Sequence, residues 1–434
     1  METMRPKLHF YKLILIVGGI SFPFALQADG LANQIDNLFG SDGIQLQINT
    51  ANPANNHQAH FSSASVSTLG LLTQQLAVSA VDIPAISTVP GLTYSYNPAL
   101  QAFERSSGSL GSIYIERPLT LGQGRFEAGF SYTYVGFDTL NGQKLKGLSF
   151  LNLQHGDCCS PVPGLGDPAF EKATADLIFD RFSLQSHIFN FSATYGITDK
   201  WDVNILVPVI QTELDISARA QINDVAFAGN PQGLHNFPNG TKTTTSSVSD
   251  SNLGVGDIQL RSKYHFLAYK KFNMAGGLNL RLPSGSQSDF QGVGDTTVTP
   301  YLSFSQEYGI IDLHATAGVE FNTGNDRRDR IRYAGGATFH VTPEFGLITD
   351  FIGTSNIRTN EVSVRVPEFT GGNATPSSYD IRTATVNNDT LDLALGFKFV
   401  PVKSVVGFFN VFIPLNDAGL RSDLIPSGGV QVGF

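Results

Sequence analysis

Ionisable side chains recur at alternate positions on separate stretches of the chain: Asp257, Arg261 and Lys263; Arg281; Asp312, His314 and Glu320; Arg332; Asp392 and Lys398. Positions two apart on an extended strand share a face, so each group projects in one direction. Both signs of charge are present. In a narrow, partly dry space they are expected to pair, because isolated buried charges are costly. The alternative is a constriction whose crossed field orients a polar solute on its way through. Catalysis finds little support: His187, His265, His314 and His340 are scattered, no Ser stands in a nucleophile-elbow context, and there is no His-Glu-x-x-His helix. His314 with Asp312 or Glu320 is the one acid–base candidate, and it is expected to belong to the charge network. No enzyme activity and no cofactor are expected. The adjacent Cys158 and Cys159 can form only a strained ring disulfide, and with His155 and Asp157 they are not expected to hold a metal.

The elements that would carry these charges are strands with one apolar and one polar face. Phe126, Ala128, Phe130, Tyr132 and Tyr134 alternate with Glu127, Gly129, Ser131 and Thr133, and the pattern recurs about twelve times from Arg125 to Phe434. A strand crossing a bilayer at a tilt needs about 9–11 residues, which these segments approach. A soluble sandwich would use shorter strands and a Lys- and Glu-rich polar face. Here the polar face is Gly, Ser, Thr and Asn, which suits a lumen. The sequence therefore predicts an all-β fold, a transmembrane antiparallel β-barrel of about 12 strands with a partly helical N-terminal extension or plug. Turns near Asp199, Tyr269, Tyr308, Thr342 and Pro401 are short, the periplasmic pattern; longer polar connections, including Gln221 to Leu253, belong outside. In strand eleven, Phe408 and Phe412 flank Asn410 on one face while the other is also apolar, so its orientation is open. In the last strand Val430, Val432 and Phe434 are expected to face lipid and to act as the membrane-assembly signal.

Composition agrees with this class. Charged residues are 15%, Gly is 44 of 434 and Phe 32, and mean hydropathy is near zero. A net charge of −9 argues against nucleic acid as a partner. Arg5, Lys7 and Lys12 precede an apolar run from Leu13 to Ile20 and a small-residue zone at Ala25 and Ala28, the order of a signal peptide. Residues 1–28 are read as that signal, 29–124 as the extension and 125–434 as the barrel. Within the extension, Leu31, Ile35 and Leu38, and Val66, Leu69, Leu72, Leu76 and Ala80, have helical spacing. It is read as a plug, a periplasmic contact module or an unstructured arm.

The runs Gly254-Val255-Gly256-Asp257, Leu280-Arg281-Leu282-Pro283-Ser284-Gly285 and Gly292-Val293-Gly294-Asp295, with the hairpin from Tyr195 to Pro208, resemble the outer-membrane family assigned to the MetA pathway of phenol degradation. The resemblance covers roughly Phe189 to Phe434. It implies an outer-membrane barrel that passes small hydrophobic or aromatic compounds, and it brings no catalytic residues. Asn97-Pro98-Ala99-Leu100 is similar to an element of the long-chain fatty-acid transporter family, although the segment from Asp29 to Tyr96 precedes it here. Two functions follow. One is a porin-like channel for passive or facilitated passage, whose path is lined by the ten charged or titratable residues named at the outset. The other is a structural or assembly barrel, or an export pore for a secreted partner. Expected partners are outer-membrane lipids and lipopolysaccharide, the barrel-assembly machinery and a small-molecule solute, in the bacterial outer membrane.

Overall fold

The computed structural model describes residues 30–48, 57–80, 87, 110–156, 173–224, 235–368, 376, 378–402 and 404–434, and the backbone of 94–97 and 102–105. The signal peptide, Cys158 and Cys159, and Pro98, Ala99 and Leu100 lie outside these residues. Twelve antiparallel strands close on themselves: β1 (Phe126–Phe137), β2 (Ala173–Thr198), β3 (Trp201–Asp224), β4 (Gln259–Tyr269), β5 (Phe272–Arg281), β6 (Thr297–Tyr308), β7 (Ile311–Asn322), β8 (Arg330–Thr342), β9 (Phe345–Asn356), β10 (Leu391–Val402), β11 (Val405–Pro414) and β12 (Ile425–Gly433). Each pairs with its neighbour in sequence, and β12 returns to β1, with Val430 opposite Phe130 and Gly433 opposite Glu127. The Phe434 amide donates to the Phe126 carbonyl at 2.8 Å. Closure leaves no strand edge in hydrocarbon, the condition for a sheet to cross a membrane.

Side-chain direction follows the predicted alternation. Phe130, Phe191, Tyr195, Trp201, Leu260, Tyr264, Leu278, Leu302, Phe351, Leu395 and Val430 are exposed on the outer wall. Their intervening neighbours, among them Ser131, Thr194, Asp202, Ser303, Thr338, Asn410 and Gln431, are buried within. In β11 the inward set is Val406, Phe408, Asn410 and Phe412, while Phe409 faces out.

β2 and β3 correct the sequence reading. They run for 26 and 24 residues, far beyond the Phe189–Tyr195 and Trp201–Val209 segments recognised from alternation. Above the lipid-facing span the polarity of their faces inverts. On the outer face of β3, Val203, Ile205, Val207 and Val209 give way to Gln211, Glu213, Asp215 and Arg219, while the inner face changes from Asp202 and Asn204 to Leu214, Ile216 and Ala218. β2 does the same, with Arg181 outside bonded to Asp215 at 2.9 Å and Leu177, Phe179 and Leu184 inside. Water therefore bathes the outside of this upper wall. Part of the expected loop from Gln221 to Leu253 is also a strand: Thr243–Val255 pairs with the upper half of β3.

The apolar inner surface of the raised wall is covered by the N-terminal segment. Helix α1 (Leu31–Asp36) and helix α2 (Ser62–Ser79) bury Leu31, Ile35, Leu69, Leu72 and Leu76 against Phe179, Leu184, Leu214 and Ile216. At Gly70, α2 meets the hairpin strand Asn360–Glu368 so closely that a Cβ would lie 2.9 Å from Val364 Cγ1. Both helices sit at the long-loop end, where α1 is tied by Leu31 N to Asp289 and by Ala32 N to Ser288 O.

The polarity inversion makes a quantitative prediction. Phe191→Arg, in the lipid-facing span, should cost about 2–4 kcal/mol of unfolding free energy. Gln185→Arg, on the same face of β2 but above the inversion, should stay within about 0.5 kcal/mol. Equilibrium urea unfolding in lipid vesicles compares them, and equal costs would refute the placement of the boundary.

Candidate functional site

The lumen is crossed near its short-turn end by residues 110–124, which pass beneath the helices and lead into β1. One flank of this segment is held on β9 and β10. Lys398, fully buried, donates to Leu110 O at 2.9 Å and to Ser112 O, and Ser112 Oγ donates to Asp350. The other flank is held at the β2–β3 turn, where Leu121 N donates to Asp202 at 2.9 Å and Gln123 N to Asp199 at 3.0 Å. Between them, Tyr114 stacks edge-on against Phe412, with ring centroids 4.5 Å apart, and its hydroxyl donates to Ser427 at 2.6 Å. Glu116 lies 3.7 Å from Arg261 and 3.9 Å from Lys263. Ser87 N donates to Ile113 O at 2.8 Å, so the earlier part of the extension also reaches the lumen.

All ten residues proposed from the sequence to line the path are buried or half-buried. They divide into local pairs. Glu320 accepts from Arg330 at 2.7 Å and from Arg332 at 2.6 Å. Asp312 pairs with His340, and His314 with Asp350 at 2.7 Å. Asp392 accepts from Arg421 at 2.7 Å. Asp257 accepts from Gly285 N and Val293 N at 3.1 and 2.8 Å, bracing the β5–β6 connection. His314, expected to belong to the charge network rather than to act as an acid–base group, takes Asp350 as its ion-pair partner. Ser112 and His314 both bond Asp350, so the carboxylate stands between them. A nucleophilic triad needs the imidazole there instead.

Among the described residues, one cavity borders the crossing segment and a second adjoins it on the wall. The larger, about 150 Å³, is bounded by Tyr114, Ile115 and Glu116 below and by Arg261, Asn279, Arg281, Tyr301, Glu320 and Tyr333 on the wall. The second, about 70 Å³, lies against Ala80, Ile188, Ile210 and Phe290 and shares Gln259 and Arg281 with the first. Two polar atoms of residues lining the larger cavity, Tyr301 Oη and Asn279 Oδ1, are buried with no hydrogen-bond partner among the described residues.

The inward direction of the charges was legible from alternation. Three of their partners, Ser112, Glu116 and the Leu110 carbonyl, belong to a segment without periodicity, and their positions in sequence carry no signal. In the connection after β7, Asp326, Arg327 and Arg328 pair with Arg358, Glu361 and Asp295 respectively.

Removing one partner of a buried ion pair strands the other, at about 3–5 kcal/mol. Glu116→Ala should therefore release the crossing segment sooner than unfold the barrel. Hydrogen exchange should quicken at least tenfold at the Tyr114, Ile115 and Leu121 amides, which donate to Ser112 Oγ and Asp202, with the strands unchanged. Loss of protection throughout the barrel would contradict this.

The family described as "Putative MetA-pathway of phenol degradation" matches residues 181–399. Among solved structures, the chain is similar to an outer-membrane channel from Pseudomonas putida F1, at 11% identity over 73% of this chain and 97% of that one, with a TM-score of 0.44. It is also similar to the Ralstonia pickettii toluene transporter TbuX, at 12% identity over 72% of this chain and 90% of that one, with a TM-score of 0.33. No curated protein matches the chain.

Proposed function

The chain belongs to the family described as "Putative MetA-pathway of phenol degradation", and on that premise we propose that it is an outer-membrane channel for single-ring aromatic compounds carrying one polar substituent. The larger lumenal cavity supports this reading most directly. Its volume, about 150 Å³, is of the order that admits one benzene-sized molecule. Tyr114, Tyr301, Tyr333, Ile115 and Ile352 offer apolar and aromatic surface to a ring, and Tyr301 Oη and Asn279 Oδ1 are placed to bond a hydroxyl. Buried polar atoms left unpartnered favour a ligand that satisfies them over one that does not.

In this reading the long-loop end is extracellular and the short turns are periplasmic, residues 1–28 are a cleaved signal, and 29–124 is a plug. The charged residues along the wall act chiefly by holding the plug, and Arg261 and Arg281 also border the solute. Passage requires the crossing segment to move aside, since Tyr114 and Glu116 lie across the route. The lipid-facing Val430, Val432 and Phe434 would present the closing strand to the barrel-assembly machinery, and the polar outer face of the raised β2–β3 wall would meet lipopolysaccharide.

Liposomes carrying the purified chain test the proposal. Phenol should enter faster than through empty liposomes, and Glu116→Ala should raise the rate further. Tyr301→Phe should weaken phenol binding by roughly 2–10-fold, the worth of one hydrogen bond, and leave toluene unaffected. Equal effects on both solutes would remove the hydroxyl-recognition role. Entry of both solutes no faster than into empty liposomes, through the wild type and Glu116→Ala alike, would remove the channel reading.

A further inference from the structure

Four of the chain's nine histidines, distant in sequence, converge at the far long-loop end, well outside the lumenal site. His57 and His60 lie in the turn that leads into α2, His155 follows the short strand Ser149–Gln154, and His235 stands beyond the outer tip of β3. His60 Nδ1 and His235 Nε2 are 3.1 Å apart, and ligand nitrogens of His57, His60 and His235 all fall within 4.8 Å of one another. The His155 ring lies edge-on to His60 with centroids 3.7 Å apart, and 5.1 Å from His235. Ile44, Leu46, Phe61 and Phe237 form the apolar surroundings. We propose that His57, His60, His155 and His235 bind one divalent transition-metal ion of the zinc, copper or nickel class.

Three observations carry the assignment. The first is distance. Metal–imidazole bonds of about 2.0–2.1 Å in a tetrahedron separate ligand nitrogens by about 3.3 Å, and the His60–His235 contact is already there. His57 shares the 4.8 Å group with them, and the His155 ring borders both His60 and His235. The second is His155, which is 6% exposed and whose ring nitrogens have no side-chain partner among the described residues, only the Gly156 backbone lying near. A neutral imidazole always carries one N–H and one lone pair, so burying that lone pair unused beside three other rings is unfavourable.

The third is the outer support of His235. Its Nδ1 bonds Asp224 Oδ1 at 3.0 Å, which fixes the proton there and leaves the Nε2 lone pair facing the cluster. Asp224 is itself held by His235 N at 2.9 Å and Lys242 Nζ at 3.0 Å, and Lys242 also donates to His235 O. Similarly, Gly156 N donates to His60 O at 2.7 Å and fixes His155 beside His60. A carboxylate–histidine pair aimed at a group of imidazoles is the arrangement that orients metal ligands. Imidazole nitrogens select zinc, copper and nickel, whereas calcium and magnesium require oxygen donors. Four protein nitrogens leave no open position, so the ion would be structural. It would join the turn before α2 to the tips of the raised wall and pin the helix in place.

The test uses the full chain without a polyhistidine tag, purified in detergent and stripped with chelator. Calorimetric titration with zinc, and metal content by mass spectrometry, should give one ion per chain. His60→Ala/His235→Ala should bind at least 100-fold more weakly, whereas His265→Ala, at a half-buried histidine on β4 remote from the cluster, should bind like the wild type. Asp224→Asn, which keeps all four ligands, should weaken binding about 10–100-fold. It also serves as the deciding variant if the double substitution does not yield a heat-modifiable barrel. X-ray absorption of the zinc-loaded wild type should report nitrogen ligands alone. The proposal fails if the wild type binds none of the three metals at 100-fold molar excess, if the variants keep wild-type affinity, or if the absorption spectrum requires sulfur or carboxylate ligands.

Discussion

Everything in this molecule depends on the pairing of backbone groups where no water can reach them. Hydrocarbon cannot satisfy an amide or carbonyl, so the sheet must close, and it closes by the β12–β1 ladder with Val430 beside Phe130. Once the cylinder is closed, the two-residue period of each strand becomes an inside and an outside. The outside must be apolar and can be bulky. The inside is filled with small polar residues, Gly129, Ser131 and Thr133 on β1 being typical, and those residues leave space that the N-terminal segment occupies.

The same rule explains where β2 and β3 depart from it. Inverting inner and outer polarity at Ile188–Asn190 and Val209–Gln211 moves both strands out of lipid without interrupting their ladder, which runs from Thr198–Trp201 to Ala173–Asp224. The alternation in the upper half is as regular as in the lower. Only its phase differs, and a bulge between Phe179 and Arg181 shifts it again. Reading for apolar residues on one continuous face therefore ends each strand at the membrane boundary, although all twelve strands were identifiable from their spans in lipid. The covering helices were legible too, from the spacing of Leu69, Leu72 and Leu76. The surface they cover was not, because nothing local announces that the inner wall has turned apolar.

A similar division applies to the lumen. Alternation predicts that Arg261, Lys263, Arg281 and Lys398 point inward, since direction is a property of one strand. Their partners are a property of the fold. Lys398 is satisfied by carbonyls at Leu110 and Ser112, nearly 290 residues earlier in the chain. The orientation of β11, apolar on both faces, is fixed only by what meets it inside: Tyr114 packs on Phe412, leaving Phe409 to lipid. The histidine cluster is the extreme case. Its members stand at 57, 60, 155 and 235 with no motif spacing beyond one i, i+3 pair, and they meet because the helix turn and two raised tips converge.

The two attachments of the N-terminal segment differ in physical character. At the long-loop end α1 and α2 are held by a continuous apolar core, in which each fully buried leucine contributes roughly 1.5–3 kcal/mol. At the short-turn end, residues 110–121 are held by both kinds of contact: Leu110 packs on Val406, and Ile113 and Tyr114 among Leu206, Ile348, Phe408 and Phe412, while buried polar links join Glu116 to Arg261 and Lys263, Ser112 to Asp350, and Lys398 to backbone carbonyls. Buried ion pairs give little net stability relative to apolar packing, because desolvation offsets most of the attraction. Their dependence on geometry is steep, however, and a group that leaves can be replaced by water or by a polar solute. An apolar anchor exposes hydrocarbon when it opens, whereas a polar one exchanges partners. The crossing segment therefore adds to its apolar packing a set of polar links that can exchange partners, which the helices above it, held by the apolar core, lack in that measure.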